Sequence, residues 1–169
     1  MTTPRILIAD DSPVVVNILA KMLTEAGFSV AEARDGLEAV QKAMTDEVDL
    51  VILDVNMPRL NGYQVCRVLK SEPATRELPI VILTQRDKAG DRFWGMQTGA
   101  DHYLTKDSPP DELLELVRRI LAAPARPVRP RSRAAAPTPV DLLSRVNDLL
   151  DHKLYEATIL SEKIGRAHV

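Results

Sequence analysis

The sequence predicts an α/β fold in which a five-stranded parallel sheet is covered on both faces by helices. Short runs rich in Val and Ile recur at residues 6–9, 50–53 and 80–83, with a weaker one at 29–33 and a shorter fifth at Tyr103 and Leu104. Segments carrying apolar residues at three- and four-residue steps separate them. Runs that are apolar without alternation suit strands buried on both faces, and regular exchange of strand and helix implies right-handed crossovers between parallel strands.

Each helix has its own signal. Val15, Ile18, Leu19, Met22 and Leu23 mark the first, with Gly27 as its stop, and Asp11 or Ser12 before Pro13 reads as an N-cap with proline at the first helical position. Leu37, Val40, Gln41 and Met44 mark the second, and Tyr63, Val65, Val68 and Leu69 the third. A fourth, less regular helix is expected over 87–97, ending at Gly99, and a fifth through Leu113, Leu114, Val117, Ile120 and Leu121.

The 169 residues are enough for one well-buried core with a remainder for a linker or an appended element. With 22 basic and 24 acidic residues the net charge is only -2, so nothing in the balance favours nucleic acid or an anionic membrane. Cys66, the single cysteine, rules out an internal disulfide and a cysteine zinc site and suits a reducing compartment. No apolar run reaches membrane-spanning length and the N-terminus does not resemble a secretory signal, so a cytoplasmic protein is expected.

Residues 1–122 are therefore expected to form the main domain. Beyond Ala122, Pro124, Pro127, Pro130, Pro137 and Pro139 alternate with arginines and alanines, which predicts an extended, semi-rigid linker over 123–139. Leu143, Val146, Leu150, Ala157, Leu160 and Ile164 then fit a heptad seam interrupted at Lys153, predicting an amphipathic helix over 140–164 that pairs with a second copy or docks elsewhere. Residues 164–169 match the translation of a common sequencing-library adapter (ATC GGA AGA GCA CAC GTC); they are expected to be an artefact, with the natural protein continuing.

Parallel sheets present their working residues at the carboxyl ends of the strands. Asp10 and Asp11 follow the first strand, Asp54 ends the third, Thr84 ends the fourth and Lys106 follows the fifth. Taken singly, Asp11 is a helix cap, Thr84 a turn residue, Lys106 a solvated charge and Tyr103 a half-buried strand residue. Their joint placement at successive strand ends favours a common site. Crowded carboxylates repel one another unless a cation joins them, and Mg²⁺ accepts one or two carboxylates while retaining waters. Asp10 and Asp11 supply that charge, Asp54 is then a candidate phosphoryl acceptor, and Lys106 and Thr84 can each bind a phosphoryl oxygen.

From Ile6 to about Ala122 the chain resembles the receiver domain of two-component response regulators, of the chemotaxis-regulator type. Asp10-Asp11-Ser12 is similar to the family's acidic pair, and Asp54-Val55-Asn56-Met57-Pro58 with Asn61-Gly62 to its phosphorylation site and the turn after it. Thr84, Tyr103 and Lys106 match its switch hydroxyl, switch aromatic and lysine. The resemblance implies the flavodoxin-like strand order 2-1-3-4-5 with five helices, Mg²⁺ as cofactor with the backbone carbonyl of Asn56 as a further ligand, and phosphoryl groups from a histidine kinase or phosphotransfer protein. It also implies a two-state switch in which Thr84 moves toward the phosphoryl group and Tyr103 turns, altering the face made by the fourth helix, fifth strand and fifth helix.

One position departs from the pattern. The family usually carries proline directly after the lysine with a cis peptide between them; here Asp107 follows, and the prolines come at Pro109 and Pro110. The loop is expected either to hold a strained cis bond or to take another path, with Asp107 a competitor for the ammonium of Lys106.

The resulting expectation is a bacterial phosphoacceptor protein that catalyses chemistry only on itself and is the N-terminal part of a longer regulator. Its homodimer interface is expected on the fourth helix–fifth strand–fifth helix face or the C-terminal helix, with no membrane or direct nucleic-acid partner. Two alternatives stand beside it: a free-standing receiver acting by protein binding, and an aspartyl-phosphate phosphatase. Haloacid dehalogenase-like enzymes place a second acid two residues after the nucleophile, where this chain has Asn56, and carry the nucleophile on the first strand.

Overall fold

The structure is a computed structural model that describes residues 3–85 and 99–122, together with Ser144 and Asp148, both helical. The expected helix over 87–97, the linker over 123–139, most of the expected helix over 140–164, and residues 164–169 lie outside the described residues.

Strand β1 (Arg5–Ala9) leads to α1 (Pro13–Glu25), β2 (Ser29–Ala33), α2 (Gly36–Thr45), β3 (Leu50–Asp54), α3 (Gly62–Ser71), β4 (Ile80–Thr84), β5 (His102–Thr105) and α4 (Pro110–Ala122). The five strands form one parallel sheet in the order β2-β1-β3-β4-β5. That is the expected flavodoxin-like order, with four helices among the described residues.

The boundaries follow from local chemistry. Ser12 caps α1 with Pro13 behind it, and Asp35 caps α2 by accepting from the N–H of Glu38 at 2.8 Å. Asn61 and Gln64 form a reciprocal capping box at the start of α3, each bond 2.9 Å long. After α1 the chain turns at Gly27, whose φ of +96° costs an L side chain energy.

β3 and β4 are buried at every position, which explains their unbroken apolar runs. Ile6, Ile8, Leu50, Ile52, Val81 and Leu83 face Val16 and Leu23 of α1 and Leu113, Leu116 and Val117 of α4. Alternation along the strands turns Leu7, Val51, Leu53 and Ile82 to the opposite face, where α2 packs on β1, β2 and α3. Burial of each such side chain contributes about 1.5–3 kcal/mol, so the strand ends are fixed by the core rather than by polar contacts at the rim. Asp101 adds one further tie: its carboxylate accepts from the N–H of Ile80 at 2.9 Å and from Nζ of Lys70 at 2.8 Å, joining the starts of β4 and β5 to α3.

Candidate phosphoryl-acceptor site

The β1 ladder runs one residue past the strand, since the N–H of Asp10 donates to the carbonyl of Ala33 at 3.1 Å. Oδ1 of Asp10 accepts from the N–H of Ser12 at 2.9 Å, so the turn that caps α1 also orients this buried carboxylate. Asp11, next to it, is exposed. Asp54 ends β3 and is only 5 % exposed. Asp10, Asp11 and Asp54 each bring a carboxylate oxygen within 4.8 Å of the others.

The loop after Asp54 is held closely against its surroundings. The N–H of Gly62 donates to the carbonyl of Val55 at 2.9 Å. A Cβ at Gly62 would stand 2.2 Å from the carbonyl oxygen of Asp54, so only glycine lets α3 start this near the end of β3. At Gly36 a Cβ would meet the carbonyl oxygen of Leu60 at 2.1 Å, which sets the same loop against α2. Asn56, exposed in this loop, donates its N–H to the carboxylate of Asp54.

Lys106 closes the site from β5. Its Nζ lies 2.8 Å from Oδ2 of Asp10 and 3.2 Å from Oδ1 of Asp54. Its N–H donates to the carbonyl of Thr84 at 2.6 Å, bringing the buried end of β4 beside it. Burial pushes the Asp54 carboxyl above the ordinary carboxylate range; the charge of Asp10 pushes the same way, while Lys106 and the Asn56 N–H pull it down. Burial alone lowers the pKa of Lys106, but its hydrogen bond to Asp10 and the two nearby carboxylates hold it above the usual lysine value.

The sequence-predicted Asp10, Asp11, Asp54, Thr84 and Lys106 therefore sit at one rim. Three acids and one ammonium leave net negative charge at this rim, and the all-oxygen donor set is that of a hard divalent cation. The cluster can hold a metal ion. Tyr103 stands on β5 with its hydroxyl 3.3 Å from that of Tyr63 on α3, a pairing that periodicity could not reveal because Tyr63 reads only as part of an apolar stripe.

The structure decides two points at Lys106. No cis peptide occurs among the described residues, so the Lys106–Asp107 bond is trans and the loop takes its other path. Asp107 is exposed, and the ammonium pairs with Asp10 and Asp54 instead, because the turn places the lysine over the carboxylates and the aspartate outside.

The family model of the response regulator receiver domain matches residues 6–118. The chain belongs to this family. The chain is 38% identical over 134 residues to the alkaline phosphatase synthesis transcriptional regulatory protein PhoP of Bacillus subtilis, the match covering 79% of this chain and 52% of that protein. It is 39% identical over 118 residues to protein PilH of Pseudomonas aeruginosa, covering 70% of this chain and 98% of PilH. The chain thus spans about half the length of the first relative and nearly all of the second. Among solved structures, the receiver domain of a Pseudomonas aeruginosa sensor histidine kinase, with a magnesium ion coordinated in its active-site cleft, is 31% identical. It covers 71% of this chain and 98% of its own, at a TM-score of 0.67.

This is a signalling domain of response regulators, a family that works with histidine kinases or phosphotransfer proteins. No helix among the described residues is long and apolar enough to cross a membrane.

Proposed function

We propose that this receiver takes a phosphoryl group on Asp54 in a two-component phosphorelay. The observation that carries the assignment is the position of the Asp54 carboxylate, buried at the end of β3 beside the acids that follow β1 and the ammonium of Lys106. An Asp54 oxygen attacks the phosphorus of a phosphohistidine; the P–O bond forms, the P–N bond breaks, and the leaving imidazole takes a proton from solvent. Lys106 binds one phosphoryl oxygen through Nζ and Thr84 another through its hydroxyl, so both favour the modified state over the free one. Asp10, Asp11, Asp54 and the backbone carbonyl of Asn56 would hold Mg²⁺. When bound, that ion neutralises phosphoryl oxygens as the anionic nucleophile approaches.

Tyr103 and Thr84 form the readout. Movement of the Thr84 hydroxyl toward the new oxygens opens space for the Tyr103 ring, and the altered β5–α4 face, with the segment before β5, pairs with a second copy or a partner. The expected linker over 123–139 and the expected helix over 140–164 would carry the change onward in a cytoplasmic bacterial protein. The domain turns over no separate substrate; it catalyses only its own phosphorylation and dephosphorylation.

The test is phosphotransfer from a purified phosphohistidine donor in Mg²⁺. Wild-type protein should take the label and Asp54→Asn should not, and association state should differ between Asp54→Asn and the wild-type complex with a phosphoryl mimic. Equal labelling of both proteins would remove Asp54 from the role. Equal association would remove the readout.

A further inference from the structure

Lys106 reaches two carboxylates from a loop that contains no proline beside it and no cis bond. Three hydrogen bonds shape that loop. The N–H of Lys106 donates to Thr84 at 2.6 Å, one residue beyond the last paired positions of β4 and β5, Thr84 and Thr105. The N–H of Ser108 donates to the carbonyl of Thr105 at 3.1 Å, closing a four-residue turn with Lys106 and Asp107 at its centre. Across the same turn Oγ1 of Thr105 and Oγ of Ser108 lie 2.9 Å apart, partly buried.

Neither central residue restricts its own backbone, and a lysine side chain has much rotamer freedom to lose. The turn must therefore be fixed at its ends. Thr105 ends β5, which the sheet holds. Ser108 precedes Pro109 and Pro110, where α4 begins, and the N–H of Glu112 donates to the carbonyl of Pro109 at 3.0 Å. The hydroxyl pair thus clasps a strand end to a helix start, with the reactive ammonium between them.

We propose that Thr105 and Ser108 are positioning residues: their hydroxyl clasp fixes the turn that aims Lys106. This rests on the role given to Lys106 above. A displacement of about 1 Å at a reacting group can cost on the order of a hundredfold in rate, so loosening the turn should act on the chemical step.

The test compares the full chain with Thr105→Val, Ser108→Ala, the double variant, and the hydroxyl-keeping Thr105→Ser and Ser108→Thr. Saturating rates of Asp54 phosphorylation by acetyl phosphate are measured beside Mg²⁺ affinity and melting temperature. Thr105→Val and Ser108→Ala should each slow the saturating rate by about ten- to a hundredfold with Mg²⁺ affinity equal to that of wild type or up to about tenfold tighter, since a loosened ammonium competes less for Asp10. The double variant should be no slower than the worse single one, because both remove the same bond. Thr105→Ser and Ser108→Thr should stay near wild type. The two single variants cut opposite ends of one contact, so either one that folds decides the matter. Unchanged rates in them, equal losses in the hydroxyl-keeping variants, or a parallel loss of Mg²⁺ affinity would overturn the clasp. Wild-type protein that takes no phosphoryl group at Asp54 would instead remove the underlying function.

Discussion

Nζ of Lys106 donates to Oδ2 of Asp10 across 2.8 Å, joining residues 96 positions apart in the chain. The other oxygen of Asp10 accepts from Ser12, so both oxygens of this buried acid are engaged within the protein. A metal ion entering the cluster must compete with the ammonium for Asp10. Lys106→Met should therefore bind Mg²⁺ more tightly, by about tenfold or roughly 1.4 kcal/mol, while phosphorylation slows. Calorimetric titration checks this; unchanged or weaker binding would show that the ammonium does not oppose the cation.

Asp54 shapes stability through pH. Its folded-state pKa is raised, by burial first and by Asp10 second. The native state then holds a proton that the unfolded chain releases, so stability falls as pH rises from the ordinary carboxylate value through the raised one. Metal-free Asp54→Asn should be more stable than wild type at neutral pH, and the gap should close below the ordinary carboxylate range. Thermal melts in a chelator across pH measure it; a gap that widens on acidification would contradict the sign.

Gly62 lets α3 begin against the backbone of Asp54. Gly62→Ala should cost about 1–3 kcal/mol in urea unfolding, since the neighbour it strikes is main chain and cannot rotate away. Phosphorylation should fall with it, because the displaced atoms belong to Asp54 and Val55.

Arg59 has a φ of 68°, in the left-handed region, and its side chain is largely exposed, 4.0 Å from Asp35. An ion pair so exposed contributes little. Arg59→Gly should raise stability by about 0.5–1 kcal/mol, seen as a higher urea midpoint with unchanged slope.

Tyr63→Phe removes the hydroxyl facing Tyr103. The stability loss should be small, about 0.5–1.5 kcal/mol, and nuclear magnetic resonance should show the Tyr103 ring in a changed environment. An unaltered Tyr103 signal would mean the two hydroxyls do not restrain each other.

The strand ends were legible because β3 and β4 are buried on both faces, which writes them as unbroken Val, Ile and Leu, and each ends at the acid or hydroxyl of interest. Ser12 and Pro13 likewise announce the start of α1. Strand order came from family resemblance, since parallel pairing leaves no local signature. The Tyr63–Tyr103 and Thr105–Ser108 contacts were hidden for another reason: one links separate elements, and the other depends on a trans path at Lys106 that the sequence left open beside the cis one. The second oxygen of Asp10 was hidden in the same way, since its bond to Lys106 forms only when β1 and β5 have taken their places in one sheet.

The most direct measurement is to incubate the protein with Mg²⁺ and acetyl phosphate, trap the acyl phosphate by reduction, and map the modified residue by mass spectrometry. The expected result is one modified site, Asp54, lost in Asp54→Asn and in the presence of a chelator. Modification at another residue, or none in folded protein with Mg²⁺ bound, would contradict the assignment.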